Sequence, residues 1–450
     1  MKTKLLTLFS LLTLSLIGAT AHANTCRELY LTNPQPAITI CQNELAQNPN
    51  NAELQFYLGT AYYLQENYTK TLEWYTKSAN QGLAQAQYNL GAMYTFGQSV
   101  KQDYKKAFEW YTKSANQGHA EAQHNLGVMY HNGQGVKQDY IKAFELFTKS
   151  ANQGFAPAQN NLGVMYHNGQ GVKQDYIKAF ELFTKSANQG FAPAQNNLGV
   201  MYRDGQSVKQ DYTKALEWFT KSANQGYAQA QYNLGVMYEK GYGVRQDYIK
   251  AFEWYSKSAN QGFAPAQYNL GVMYYNGHGI KQDYQKAFEW FTKSANQGDA
   301  EAQNNLGVMY RDGQGVKQDY IKAFELFTKS ANQGDAKAQH NLGVMYHNGY
   351  GVKQDYAKAL EWFTKSANQG NAKAQYSLGV MHHKGRGVKQ DYKKAFEWFT
   401  KSASQGYANA QFALGVMYHN GDGVNQNPST AKQWFAKACE NGHLRACQYR

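Results

Sequence analysis

The sequence predicts an all-α fold, a right-handed α-solenoid of about eleven antiparallel helix pairs. Three observations carry this expectation. The step Leu-Gly recurs with its glycine at Gly91, Gly127, Gly163, Gly199, Gly235, Gly271, Gly307, Gly343, Gly379 and Gly415, always 36 residues apart. A fixed period between about 20 and 50 residues marks one supersecondary unit stacked on copies of itself. Within each copy, apolar side chains recur at helical spacing, and glycine and aspartate fall where helices stop and start. A chain of 450 residues ordinarily suggests several globular domains. A repeat array instead builds one long core by nearest-neighbour stacking, so a single solenoid domain is expected.

Residues 1–23 read as a secretory signal peptide: Lys2 and Lys4, the apolar run Leu5 to Ile17, then Ala21-His22-Ala23 with the small residues a signal peptidase requires. Cleavage after Ala23 predicts a mature chain that starts at Asn24 and works in the periplasm or as a secreted protein. Cys26 follows closely, but Ala23-Asn24-Thr25 is a poor lipidation site. No other stretch is long and apolar enough to span a membrane.

The formal charge of +13 becomes 13 − 2 = +11 once Lys2 and Lys4 are removed. Each copy contributes about one positive charge; Lys137, Lys142 and Lys149 stand against Asp139 and Glu145. A charge spread so evenly is a solvated surface that keeps an extended, monomeric protein soluble. Nucleic acid is not an expected partner, because export removes the opportunity.

Residues 24–51 form the expected N-terminal cap. Pro34 and Pro36 break the chain before a helix from about Ala37 to Gln47. Export places Cys26, Cys41, Cys439 and Cys447 in an oxidising compartment, where an even count reads as disulfides. Of three pairings, Cys26 with Cys41 and Cys439 with Cys447 are the reasonable ones, since each pair lies at one end of a long rod. They are expected to staple the two ends.

The repeated unit is illustrated by the copy at Ala120. Ala122, Leu126, Met129 and Tyr130 fall at i, i+4, i+7 and i+8, one face of a first helix, helix A. Gly127 beside that face lets a partner helix approach closely. Gly133 ends helix A in the left-handed conformation that glycine adopts readily. After the loop Gln134 to Gln138, Asp139 is placed to cap helix B. Helix B runs from Tyr140 to about Asn152, with Tyr140, Ala143, Phe144, Phe147 and Ala151 inward, and Gly154 ends it. These aromatic and methionine positions recur in every copy and are read as core, not as a cofactor site.

The motif A-x-x-x-L-G-x-M-Y-x-x-G-x-G-V-x-x-D-Y-x-K-A-x-x-W-F-x-K-x-A-x-x-G resembles the Sel-1-like repeat (SLR), a relative of the tetratricopeptide repeat, and covers residues 83–443. Residues 52–82 depart from it. Gly59 stands 32 residues before Gly91, and Leu58-Gly59-Thr60-Ala61-Tyr62-Tyr63 leads to Tyr68 without a G-x-G-V loop, so this unit is nearer a plain tetratricopeptide hairpin. Residues 444–450 are expected to form a truncated capping helix. The spacing of eight between Cys439 and Cys447 resembles the disulfides of cysteine-rich SLR proteins of bacterial envelopes.

Asn125–Asn160 and Asn161–Asn196 are identical over 36 residues, the mark of recent copying. A function based on surface or reach tolerates such copying better than one that needs a unique geometry. Against this uniformity, a few helix A positions change from copy to copy. Before the N-L-G step stand Tyr88, His124, Tyr232, Tyr268, His340 and Tyr376. After the M-Y step stand His131, His167, Arg203, Glu239, Tyr275, Arg311, His347 and His383. At 100° per residue these fall opposite the core stripe, on one exposed face. The resemblance implies that this face lines a concave groove.

Tyr, His, Arg and Asn are residue types that anchor interfaces, so a peptide or protein ligand is expected there. Beside them runs a ladder of Asn89, Asn125, Asn161, Asn197, Asn233, Asn269, Asn305 and Asn341. In related helical repeats the matching asparagine contacts the backbone of an extended peptide; alternatively it bonds the adjacent repeat. Both readings stand at the level of sequence.

No catalytic site, cofactor or metal is expected. His124 with His131 and His340 with His347 are two helical turns apart, too far for one ion without help, and neither these nor His382-His383 has a cysteine or carboxylate cluster beside it. Ser429-Thr430-Ala431-Lys432 matches the S-x-x-K pattern of serine β-lactamases, but it follows Pro428 where a helix cap is expected, and neither S-D-N nor K-T-G is present. The alternative, a β-lactamase or penicillin-binding activity, rests on the resemblance to cysteine-rich SLR proteins so classed. The leading expectation is a non-enzymatic exported scaffold.

Overall fold

A computed structural model describes residues 25–449; the expected signal peptide lies outside them. Among the described residues there are 24 α-helices, a terminal 3-10 helix and no strands. They divide into two compact units, residues 25–191 and 192–449.

The first unit opens with α1 (Cys26–Leu29) and α2 (Pro34–Gln47), then α3 (Ala52–Leu64) paired with α4 (Tyr68–Asn80). Three further pairs follow: Ala84–Phe96 with Tyr104–Asn116, Ala120–Asn132 with Tyr140–Asn152, and Ala156–Asn168 with Tyr176–Asn188. α2 starts three residues earlier than expected. Pro34 sits at its first position and Pro36 within the first turn, where a missing amide hydrogen costs nothing because no intrahelical acceptor is available. The Cys26–Cys41 disulfide joins α1 to α2 with Cα atoms 4.7 Å apart, and the Cys26 amide donates to Glu44 at 2.9 Å. Tyr30 lies against Tyr57, ring centres 4.6 Å apart, covering the open end of the stack.

The second unit holds seven pairs, from Ala192–Asp204 with Tyr212–Asn224 to Ala408–Asn420 with Pro428–Glu440. It ends in the 3-10 helix Leu444–Gln448, in place of the expected truncated α-helix. Cys439–Cys447 closes this end, and His443 stacks on Phe412 at 4.2 Å.

Each pair is built as its residues dictate. The Asp139 carboxylate accepts from the Ile141 and Lys142 amides at 3.1 and 3.0 Å, satisfying the first turn of helix B. Gly133, at φ 70°, closes helix A. The second glycine of the G-x-G loop serves a different contact. A Cβ on Gly135 would collide with the carbonyl of Tyr104 in the preceding pair, so the loop lies directly on its neighbour's backbone. In the tetratricopeptide-like pair the connection shrinks to residues 65–67, against 133–139 in the copy at Ala120.

The two helices run antiparallel, since Ser150 Oγ near the end of helix B donates to the carbonyl of Ala120 at the start of helix A, 2.7 Å away. Between these ends, Gly127 faces the Phe147 ring so closely that a Cβ would stand 2.8 Å from it. Ala122, Leu126, Met129, Ala143, Phe147 and Ala151 are buried around that contact. Gln123 ties pairs together: its Nε2 donates to the Ala115 carbonyl of the preceding pair at 3.2 Å, and its Oε1 accepts from Gln153 at 2.8 Å. The second unit repeats this pattern with Ser258, Gln231 and Gln261.

Candidate functional site

The variable residues of helix A do not stand on an open surface. Tyr88 and Asn233 are buried outright, and every other candidate is partly buried. The expectation of an exposed face is corrected accordingly. Neighbouring pairs stack so tightly that a side chain opposite the core stripe of one helix A reaches the helix A of the next pair.

In the first unit, His124 is held on both ring nitrogens, with Asn125 Oδ1 at 3.0 Å from Nδ1 and Asn161 Nδ2 at 3.0 Å from Nε2. The amide of Asn161 donates to Nε2, so Nδ1 carries the proton and donates to Asn125, a neutral ring. Burial pushes the His124 pKa down to about 4 from the ordinary 6.5, against the opposing pull of Asn125 and Glu121. His131 bonds Asn132 at 2.9 Å and reaches Gln170 of the following loop at 3.5 Å. His167 repeats the bond to its neighbour, Asn168, at 2.9 Å. Asn89 takes a long bond from Gln85.

In the second unit the ladder bonds are explicit. Asn233 Nδ2 donates to Asn196 Oδ1 at 2.8 Å, and Asn341 Nδ2 to Asn304 Oδ1 at 2.9 Å. Arg203 and Arg311 each make two bonds to the aspartate beside them, Asp204 and Asp312, while reaching Asn233 and Asn341 at 3.5 Å. Tyr275 donates to Gln314 at 2.6 Å, and His347 meets Arg386 at 3.2 Å. His340 lies against Phe363, its pKa also lowered to about 4, chiefly by burial. Tyr376 packs against Tyr407, and His383 stands 3.8 Å from Asp422. Asn305 accepts from Asn304 at 3.3 Å. Asn269 lines a cavity with Tyr232, Glu239 and Tyr268. Asn197 is half-buried within its helix.

For Asn161, Asn233 and Asn341 the bond to the adjacent pair is therefore present, each using part of its hydrogen-bonding capacity. Sequence reasoning did not foresee the partners: Asp204, Asp312, Gln170 and Gln314. One signal for them exists within the chain. Arginine at the variable position is followed by aspartate (Arg203-Asp204, Arg311-Asp312), glutamate by lysine (Glu239-Lys240), and histidine mostly by asparagine (His131-Asn132, His347-Asn348).

Two lysine positions of helix B lie over aromatic rings in many of the copies. Lys142 Nζ stands 5.2 Å from the Tyr130 ring centre and Lys113 Nζ 4.1 Å from that of Trp110, and the pattern recurs along both units. Their stems cover apolar surface while their charges stay in water. No helix among the described residues is long and apolar enough to cross a membrane, and no three His, Cys, Asp or Glu side chains there come together as a metal site. Ser429 and Lys432 are both exposed. The cap of their helix is Asn427, whose Oδ1 accepts from the Thr430 amide at 3.0 Å, and not Ser429.

Comparison with known proteins agrees with this architecture. The Sel1 repeat matches ten consecutive segments from 84–119 to 408–443, and a tetratricopeptide repeat matches residues 26–88. Among solved structures, c5321, a protective antigen present in uropathogenic Escherichia coli strains and displaying an SLR fold, is 37% identical over 92% of each chain, with a TM-score of 0.73. A Sel1 repeat protein from Oxalobacter formigenes is 34% identical over 69% of this chain and 90% of that one, with a TM-score of 0.51. No curated protein sequence matches.

Proposed function

Because the chain belongs to the Sel1 repeat family, ten of whose units it carries in succession, we propose that it is an exported scaffold. In this reading it binds a peptide or protein segment along the concave, helix A side of the stack. The observation that carries it is where the copies differ. Scaffold positions such as Gly127, Phe147, Ser150 and Gln123 recur nearly unchanged, while histidine, arginine, glutamate and tyrosine alternate at one register position of helix A. Stacking alone demands sameness, so variation at the partly exposed polar positions of helix A supports placing selectivity there. Two disulfides support a location outside the reducing cytoplasm, as does the description of c5321 as a protective antigen.

The test is crosslinking of the mature chain in envelope extract and in culture medium, with the triple variant Arg203→Glu, Glu239→Lys, Arg311→Glu as comparison. Circular dichroism checks that the variant keeps its helices. The expected result is a defined partner in one of the two fractions that the variant no longer captures. An unchanged set of captured proteins overturns the assignment to this face.

A further inference from the structure

The Glu239 copy differs from the others in chemistry as well as in sequence. Along the register position that reads His131, His167, Arg203, Glu239, Tyr275, Arg311, His347, it holds the carboxylate. In the same copy the inner aromatic of helix B is Tyr255, where most copies have phenylalanine. The two meet: the Tyr255 hydroxyl donates to Glu239 Oε2 at 2.7 Å. This bond fixes the carboxylate and leaves part of its accepting capacity free.

Glu239 stands at a cavity of about 280 Å³ walled by Tyr232, Tyr248, Tyr255 and Tyr268, with Lys240 and His278 also on its lining. The Tyr232 and Tyr255 ring centres are 5.8 Å apart. The nearest cation is Lys240, 2.7 Å from Glu239 Oε1, but that side chain is 53% exposed while Glu239 is 24% exposed. An exposed ion pair between neighbours contributes little and yields to a better-placed competitor.

We infer that this cavity receives an organic cation, an alkylammonium or guanidinium group. Aromatic faces present negative quadrupole potential to a cation, and the attraction grows when water is excluded. A carboxylate held at the side of such a box supplies the counter-charge, and the volume suits one cationic head group with the start of its stem. The assignment deepens the scaffold reading and rests on it in one respect: the head group is that of a lysine or arginine in the bound segment. A free quaternary ammonium compound shares the same chemistry, and the test separates the two.

The experiment is ligand-observed NMR titration of the mature, disulfide-bonded chain at constant ionic strength. The probes are Nα-acetyl-arginine amide, Nα-acetyl-lysine amide, tetramethylammonium, and tert-butanol as the neutral mimic. The cations are expected to bind and tert-butanol not to. Glu239→Gln is expected to weaken cation binding about tenfold. Tyr232→Asn, which places the residue found at Asn160 and Asn196 of other copies, should weaken it as well while preserving the fold. Tighter binding of the amino-acid amides identifies a side chain as the occupant, and tighter binding of tetramethylammonium identifies a free ligand. Equal binding of tert-butanol, no binding of any cation, or unchanged affinity in Glu239→Gln overturns the inference. Capture of a partner without cation binding removes this cavity alone; cation binding without a captured partner removes the scaffold reading alone.

Discussion

At the scale of single residues, the contact that sets the spacing of each pair is Gly127 against Phe147, and its equivalents down the chain. Gly127→Ala places a methyl 2.8 Å from two ring carbons, and an overpacked core site costs about 1–3 kcal/mol. The expected outcome is a lower urea midpoint, with amide exchange quickening first in 120–152. His124 and His340 titrate near pH 4 in the folded chain and near 6.5 once unfolded. Between those values the unfolded chain binds more protons, so stability is full above about pH 6.5 and falls on acidification towards pH 4. Each ring contributes on the order of 3 kcal/mol to that loss by pH 4. His124→Asn with His340→Asn, using a residue already present at this position as Asn160, should flatten the fall in melting temperature between pH 7 and pH 5. An equally steep fall in the double variant excludes these two rings as its source.

At the scale of elements, each helix B begins at a residue that does one thing. Asp139 has no part in the core; its carboxylate receives two amides that otherwise have no acceptor. Asp139→Ala is expected to cost about 1 kcal/mol, read as faster hydrogen exchange at Ile141 and Lys142 with helix A of the same pair little changed. The final pair reaches the same end with Asn427. Much of this level was legible beforehand. The helix A and helix B boundaries in the copy at Ala120, the aspartate cap and the closing glycine all follow from local backbone chemistry. The start of α2 was misplaced, because a proline that breaks a helix interior is welcome in its first turn.

At the scale of the whole chain, near-identical units make stability a sum of unit and nearest-neighbour terms. Removal of 125–160, whose sequence is repeated in 161–196, keeps every register and is expected to leave ellipticity per residue at 222 nm unchanged. Removal of 125–154 cuts out most of helix A together with helix B and its closing turn while breaking the register, and should lower the ellipticity and the cooperativity of unfolding. The disulfides act only at the ends, Cys26–Cys41 and Cys439–Cys447, where a stacked unit lacks one neighbour.

The sequence by itself determined the repeat, the helix pairs, the alanine, leucine, methionine and phenylalanine core of each pair and the terminal staples, because period, capping and apolar spacing are local properties of the chain. It also singled out the positions at which the copies differ. Only the tertiary structure decided what those positions do. His124 reaches Asn161, Asn233 reaches Asn196 and Tyr275 reaches Gln314 across intervals close to one repeat, and Glu239 meets Tyr255 from the opposite helix of its pair. Helical geometry places a side chain on a face; the distance to the next pair decides whether that face is open. Here the close stacking of neighbouring pairs, in which the loop at Gly135 lies on the backbone of Tyr104, turned an expected open stripe into a hydrogen-bonded seam, with a tyrosine-walled cavity at Glu239 in it.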